Sequence, residues 1–240
     1  MISIPQITTK KIFVGEVPLT FNPQTLITTI FLSLCLTLLA SLFSRSLTMF
    51  PSRRQCLIEI FLQGFRRMVE EGLGEDWKKF YPLITTLFVF VLFCNWIGVV
   101  PGIKAPTADL NTCLGLGLMV FFISHFSALR KIGFRRYLKK YFSPFPLLFP
   151  LNLISELGKV ISHSFRLFGN MFGGGIIFAV VGPIVFEISK SIGISPFLTS
   201  PFLLLLFLIL QAFFGLFIGT VQAFVFSVLA LTYIAFAREE

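Results

Sequence analysis

Six residues in the second half of the chain, Glu156, Lys159, His163, Arg166, Asn170 and Gly173, follow one another at intervals of 3, 4, 3, 4 and 3. On an α-helix those intervals place all six on one face. Their types suit the handling of charge: an imidazole exchanges protons near neutral pH, and a guanidinium holds a fixed positive charge. Moving an arginine to the bilayer centre costs at least ~2.5–3.5 kcal/mol on insertion scales, and its pKa is too high for discharge by proton loss. Leu167 to Phe186 is a charge-free run of full span length on one side of Arg166, and Glu156 lies about 15 Å away along the helix on the other. Arg166 therefore calls for an anionic partner from elsewhere. Glu156 and Lys159 admit two readings, a structural i,i+3 ion pair or a share in the chemistry. His163 is open in the same way, between a hydrogen-bonded packing residue and a proton shuttle.

A second stripe stands in the last helical stretch, where Gln211, Gly215, Gly219 and Gln222 are spaced 4, 4 and 3 apart among Leu and Phe. Gly215-xxx-Gly219 reads as a helix-packing motif or as part of a functional face. An amide in lipid must find a partner, and Gln222 offers donor and acceptor together.

The elements that carry these stripes are membrane helices. Of the 240 residues 55% are hydrophobic and 13% charged, and the mean hydropathy is +0.88, which excludes an ordinary soluble domain. The four cysteines are scattered, without CxxC pairs or His/Cys clusters, so no disulfide framework, metal site or cofactor is expected. The expected architecture is an all-α integral membrane protein of about five passes in a single membrane domain. Residues 1–24 form an external N-terminal segment, 25–44 the first span, 54–76 an amphipathic helix on the membrane surface, 82–100 the second span and 110–128 the third. Pro101-Gly102 breaks the pattern after the second span. Two long, strongly tilted helices follow at 145–189, with Arg166, and 197–237, with Gln222.

The net charge of +9 sits in loops: 45–80 holds seven Lys and Arg and 129–143 six, against Lys104 alone in 101–109 and Lys190 alone in 187–200. The bias puts the N-terminus outside and the C-terminus in the cytoplasm, and it removes the need for a nucleic-acid partner. No signal peptide or transit peptide is read at the N-terminus, which points to a bacterial plasma (inner) membrane protein rather than an imported organelle one.

At these residues the chain resembles the family of subunit a of the F-type ATP synthase, the stator half of an ion-driven rotary motor. The resemblance runs over nearly the whole chain. It rests on "SFRLFGNM" around Arg166, "NWIGVVPG" (95–102), "PTADLNT" (106–112), "LISELGK" (153–159) and the closing "LQAFFGLFIGTVQAFVFSVLALTYIAFAREE". It implies an ion-translocating, non-catalytic subunit whose two long helices face a ring of c subunits, each with a mid-membrane carboxylate. Peripheral-stalk b subunits and the rest of the complex are the further partners implied. Arg166 would be the arginine that keeps two half-channels from short-circuiting. Asn170 and Gln222 match positions beside it, Glu156 matches a frequent family carboxylate, and Asp109, Asn111 and Gln211 join the residues of the ion path. Gly169, Gly173, Gly174, Gly175, Gly215 and Gly219 are the expected close-approach positions. Many members carry a carboxylate or histidine nine residues after the arginine and a partner on the last helix; here those positions are Gly175 and Gly215, so His163 is a candidate substitute.

Two other classes fit less of the sequence. A secondary transporter binding an anion at Arg166 predicts inverted repeats, and none is found. A membrane enzyme needs a catalytic constellation, but the chain offers only two histidines and no nucleophile motif.

Overall fold

The computed structural model of the chain describes residues 10–14, 17–45, 52–100, 103–142, 145–193 and 196–239. Lys10–Val14 (β1) pairs antiparallel with Val17–Phe21 (β2), Lys10 opposite Phe21. This hairpin has no counterpart in the sequence reading. Among the described residues every later regular element is helical: α1 (Pro23–Arg45), α2 (Arg53–Leu73), α3 (Trp77–Trp96), α4 (Leu110–Ile132), α5 (Phe134–Phe142), α6 (Phe149–Ser191), α7 (Pro196–Gln211) and α8 (Gly219–Arg238). Five helical runs are long and apolar enough to cross a membrane, and the protein is an all-α integral membrane protein. The expected break at Pro101-Gly102 lies outside the described residues.

Local chemistry sets the ends of the helices. Ser52 caps α2 by accepting from the Gln55 amide at 3.4 Å, and Gly74, with φ +57°, ends it. A 3-10 turn over Gly74–Asp76 then leads into α3. Asp109 caps α4 by accepting from the Asn111 amide at 3.0 Å, and Gly133, with φ +85°, stops it before the basic α5. The stretch expected as one helix over 197–237 is α7 and α8 joined by seven residues of π-helix, Ala212–Ile218.

The core forms around α8, which packs against α3 and α4. Ile84, Leu87, Phe88 and Val91 of α3 meet Ala223, Phe226, Ala230, Leu231 and Ile234 of α8, with Cys113 and Val120 of α4 and Leu167 of α6 closing the cluster. Phe65 and Val69 of α2 join the same core, and Phe65 rests 4.8 Å from the Phe88 ring centroid. In lipid, where apolar contact alone gives little preference between helices, small residues and polar links decide the packing. Gly117 of α4 is one such place: a Cβ there would run into the Ser164 hydroxyl of α6. At the C-terminus of α8 the buried Arg238 pairs with Asp76, lies 5.0 Å from the Phe80 ring centroid, and so ties the last helix to the α2–α3 turn. Lys79 pairs with the same carboxylate at 2.7 Å.

Gly117→Val is expected to lower the thermal stability of the detergent-purified protein by about 1–3 kcal/mol, as overpacking of a tight contact does. Gly115→Val, whose Cβ meets nothing within 4 Å, is the control and should melt with the parent. Equal melting of both variants would mean that the α4–α6 contact does not limit stability.

Candidate functional site

The polar stripe sits on α6, a single helix of 43 residues, and meets α8 at His163. Glu156 and Lys159 are paired, Lys159 Nζ to Glu156 Oε1 at 2.6 Å, so of the two readings for these residues the ion pair is present. One turn on, His163 is buried at 2% exposure and stacks on Phe226 of α8 with ring centroids 3.8 Å apart. Among the described residues neither ring nitrogen has a hydrogen-bond partner. His163 is thus packed in the helix interface, with no side-chain or backbone hydrogen bond to its ring among the described residues. Arg166, the next member, is exposed, and among the described residues it has no ion pair and no hydrogen bond. Asn170 is half-buried with an unpartnered side-chain nitrogen, and Gln222 on α8 is in the same state.

Buried polar atoms without partners are rare, because each costs about 1–3 kcal/mol. Four of them belong to His163, which has two, and to Asn170 and Gln222, all residues expected in the ion path. Two cavities border the stripe at successive levels. One, of about 430 Å³, is lined by His125, Tyr141, Glu156, Lys159, His163 and Tyr233 among others. The second, of about 160 Å³, is lined by Gly98, Asn170, Gly174, Gly175, Gln211 and Gly215 among others. Arg166 lies between them on α6, roughly 4.5 Å along the axis from His163 and roughly 6 Å from Asn170 at 1.5 Å of rise per residue.

The second stripe is held against the end of α3. Gln211 donates to the Gly98 carbonyl at 2.6 Å, and Asn95 donates to the Gly219 carbonyl at 2.8 Å. Trp96 donates to the Thr220 hydroxyl at 3.0 Å. Thr107 in turn donates to Asn95 Oδ1 at 2.7 Å, so the two sequence motifs at 95–102 and 106–112 meet in one buried network. Gly215 lies against Val99 with no room for a Cβ, and a Cβ at Gly219 would come within 3.0 Å of Asn95. The glycine motif thus packs on α3 and the turn after it. The π segment, a rare conformation, is held at both ends by these contacts.

The remaining expected residues fall into two groups. Asp109 accepts from Thr25 of α1 at 3.0 Å besides capping α4, and Asn111 stands exposed in the first turn of α4. A Cβ at Gly174 would meet Phe214 at 3.4 Å, whereas one at Gly169, Gly173 or Gly175 would meet nothing within 4 Å among the described residues. The sequence reading passed over Asn95 and Thr107 as site-positioning residues, and over His125, Tyr137 and Tyr141 in the larger cavity. A signal existed for the latter, since His125 is one of two histidines and the tyrosines stand i,i+4 in the basic α5.

This is a multi-pass α-helical membrane protein with an unpaired arginine on a polar stripe between two cavities. Comparison with known proteins supplies the family. Residues 25–235 match the family described as ATP synthase A chain. The ATP synthase subunit a of Moorella thermoacetica is 38% identical over 200 residues, covering 82% of this chain and 84% of that one. Those of Geobacter sulfurreducens (35% over 210 residues, 86% and 83%) and Aquifex aeolicus (37% over 189 residues, 77% and 83%) are similar over a comparable extent. The chain belongs to the ATP synthase A chain family.

Gln211→Leu is expected to raise amide hydrogen exchange across Ala212–Ile218 while leaving the middle of α8 protected, because it removes one anchor of the π segment. Unchanged exchange there would show that Gly215 packing alone holds the segment.

Proposed function

We propose that the chain is the ion-translocating stator subunit of a rotary ATP synthase and catalyses nothing by itself. The observation that carries this reading is Arg166: exposed, unpaired, and stationed between a cavity that reaches His163 and a cavity that reaches Asn170. A guanidinium without an internal anion is suited to an external one, here the mid-membrane carboxylate of a passing c subunit. Its charge lowers the pKa of that carboxylate on approach, so the group releases its proton into one half-channel and is recharged only from the other. The same charge repels a proton that would cross directly from one cavity to the other. Ion flow then requires rotation of the ring, and rotation drives synthesis in the catalytic sector.

In this reading the larger cavity is the half-channel at the α5 end, with Glu156 and His163 along it. The smaller is the half-channel at the opposite end, reached past Asp109 and Asn111, with Gln211 in its wall. Asn170 and Gln222 flank the arginine and turn their amides to it or to water. The exposed Gly169 and the half-buried Gly173 leave room for the ring to approach closely, and α6 and the α7–α8 run lie tilted along it. The Lys/Arg bias of the loops puts the N-terminus outside and the α5 end in the cytoplasm of a bacterial inner membrane. The amphipathic α2 lies at the membrane surface, and peripheral-stalk b subunits hold the chain against the torque of the ring.

The test is Arg166→Ala in the assembled complex in membrane vesicles. ATP synthesis driven by an imposed ion gradient is expected to vanish while passive ion flow through the membrane sector persists. Synthesis at the parental rate would show that the arginine is structural and would overturn the reading.

A further inference from the structure

The 430 Å³ cavity contains a chain of polar side chains that the arginine mechanism does not use. Its members come from three helices. Tyr137 and Tyr141 of α5 are hydrogen-bonded through their hydroxyls at 2.8 Å. Tyr141 Oη lies 3.2 Å from His125 Nε2 on α4. His125 Nδ1 is 3.0 Å from the Phe121 carbonyl, which only accepts, so Nδ1 carries a proton. In the neutral ring Nε2 is then the acceptor, and Tyr141 donates to it. His125 Nε2 also lies 4.0 Å from Glu156 Oε2 on α6, and Glu156 is held on its other oxygen by Lys159. Asn152 fixes the outer end by donating to the Tyr141 carbonyl at 2.9 Å. Lys140 fastens α5 over the cavity by donating to the carbonyls of Phe236 and Glu239 at the end of α8, at 2.8 and 3.1 Å.

We propose that Tyr137, Tyr141 and His125 form a proton relay between the surface at α5 and Glu156. The inference rests on the stator reading above and adds named carriers to one of its half-channels. Toward Glu156, a proton from water bonds to the Tyr137 oxygen as the Tyr137 hydroxyl proton passes to Tyr141. The Tyr141 proton passes to His125 Nε2, and the imidazolium so formed gives that Nε2 proton to the Glu156 carboxylate, directly after a small rotation or through one water. The last gap of 4.0 Å admits no direct hydrogen bond as it stands. The cavity that contains it is far larger than the ~30 Å³ a water takes up in the liquid. Each O–H or N–H bond broken is replaced by one formed, no tyrosinate is left behind, and reorientation of the two hydroxyls resets the chain for the opposite direction. Burial, the largest influence on both phenols, holds them above the ordinary tyrosine value, so they hand protons on without ionising. Such a chain is built for protons and offers no carrier function for a bare cation.

The test uses membrane vesicles containing the complete complex, with the amount of assembled membrane sector checked for every variant. Passive proton conduction under an imposed potential is measured after the catalytic sector is stripped, in Tyr141→Phe, which removes one oxygen, and in His125→Ala. Each is expected to fall at least about tenfold, less than the ~10²–10⁴ that a positioned proton-transfer group contributes, because cavity water substitutes in part. Added imidazole is expected to restore conduction in His125→Ala and to leave Tyr141→Phe unchanged, a rescue that a packing role would not give. Parental conduction in both variants, or a loss in His125→Ala that imidazole leaves in place, overturns the relay. Arg166→Ala is run in parallel: if it abolishes coupled synthesis while both relay variants conduct normally, only the relay fails. If coupled synthesis survives in Arg166→Ala, the stator reading fails whatever the relay variants do.

Discussion

An arginine in hydrocarbon can neither give up its charge nor leave it unbalanced, and among the described residues none pairs with Arg166. Glu156 is the one carboxylate on the stripe, and it is taken by Lys159 at 2.6 Å. That pairing is what leaves the arginine free. If Glu156 reached Arg166 instead, the guanidinium would be neutralised from within and an external carboxylate would gain little from approaching it. The i,i+3 spacing of Glu156 and Lys159 and the ten-residue distance to Arg166 together keep the two charge systems apart.

The rest of the structure serves to hold α6 and α8 in register beside that charge. Hydrophobic matching cannot do this in lipid, so the register is set by discrete contacts. Gly117 seats α4 on Ser164, two residues from Arg166 on α6. Asn95, Thr107, Trp96 and Gln211 fasten the π segment and the start of α8 to the end of α3. Gln222 lies two residues beyond Thr220, the last of these fastened positions, so its place on α8 follows from the anchoring of that end by Asn95 and Trp96. The motifs at 95–102 and 106–112 are therefore as much structural as functional. Their side chains form the brace, and the brace locates the site.

What could be read from the sequence was what local spacing encodes. The stripe from Glu156 to Gly173, the Glu156–Lys159 pair and the number of long apolar segments all follow from periods of three and four residues. Contacts between residues far apart in the chain could not be read. Asn95 and Gly219 are separated by 124 residues, and no local pattern joins them. The π segment was hidden for the same reason, since Ala212–Ile218 is apolar and helix-compatible and is diverted only by what α3 presents to it. His125 was passed over because its partners arrive from α5 and α6, whereas its own helix offers it only Ser124 and the Phe121 carbonyl. The β1–β2 hairpin lies in a polar stretch whose short alternation is weak against the helical signal that follows.

The two glycines at 175 and 215 show how a site can do without a side-chain relay. Both line the 160 Å³ cavity, so the space that larger residues would fill is open. They are not equivalent. Gly175 has nothing within 4 Å of where its Cβ would stand, so a side chain there could project into the cavity. Gly215 is pressed against Val99, and any side chain must first displace a residue that belongs to the brace on α3. A polar pair across these positions would thus require a smaller residue at 99 or a shifted π segment, which ties the choice of residue at 215 to the packing of a helix more than a hundred residues earlier. With that route closed, the polar groups left at this level are the Asn170 and Gln211 amides, of which Gln211 is committed to the Gly98 carbonyl. Asn170, one turn from Arg166, keeps a side-chain nitrogen without a partner among the described residues and so has a donor to offer a water in the cavity.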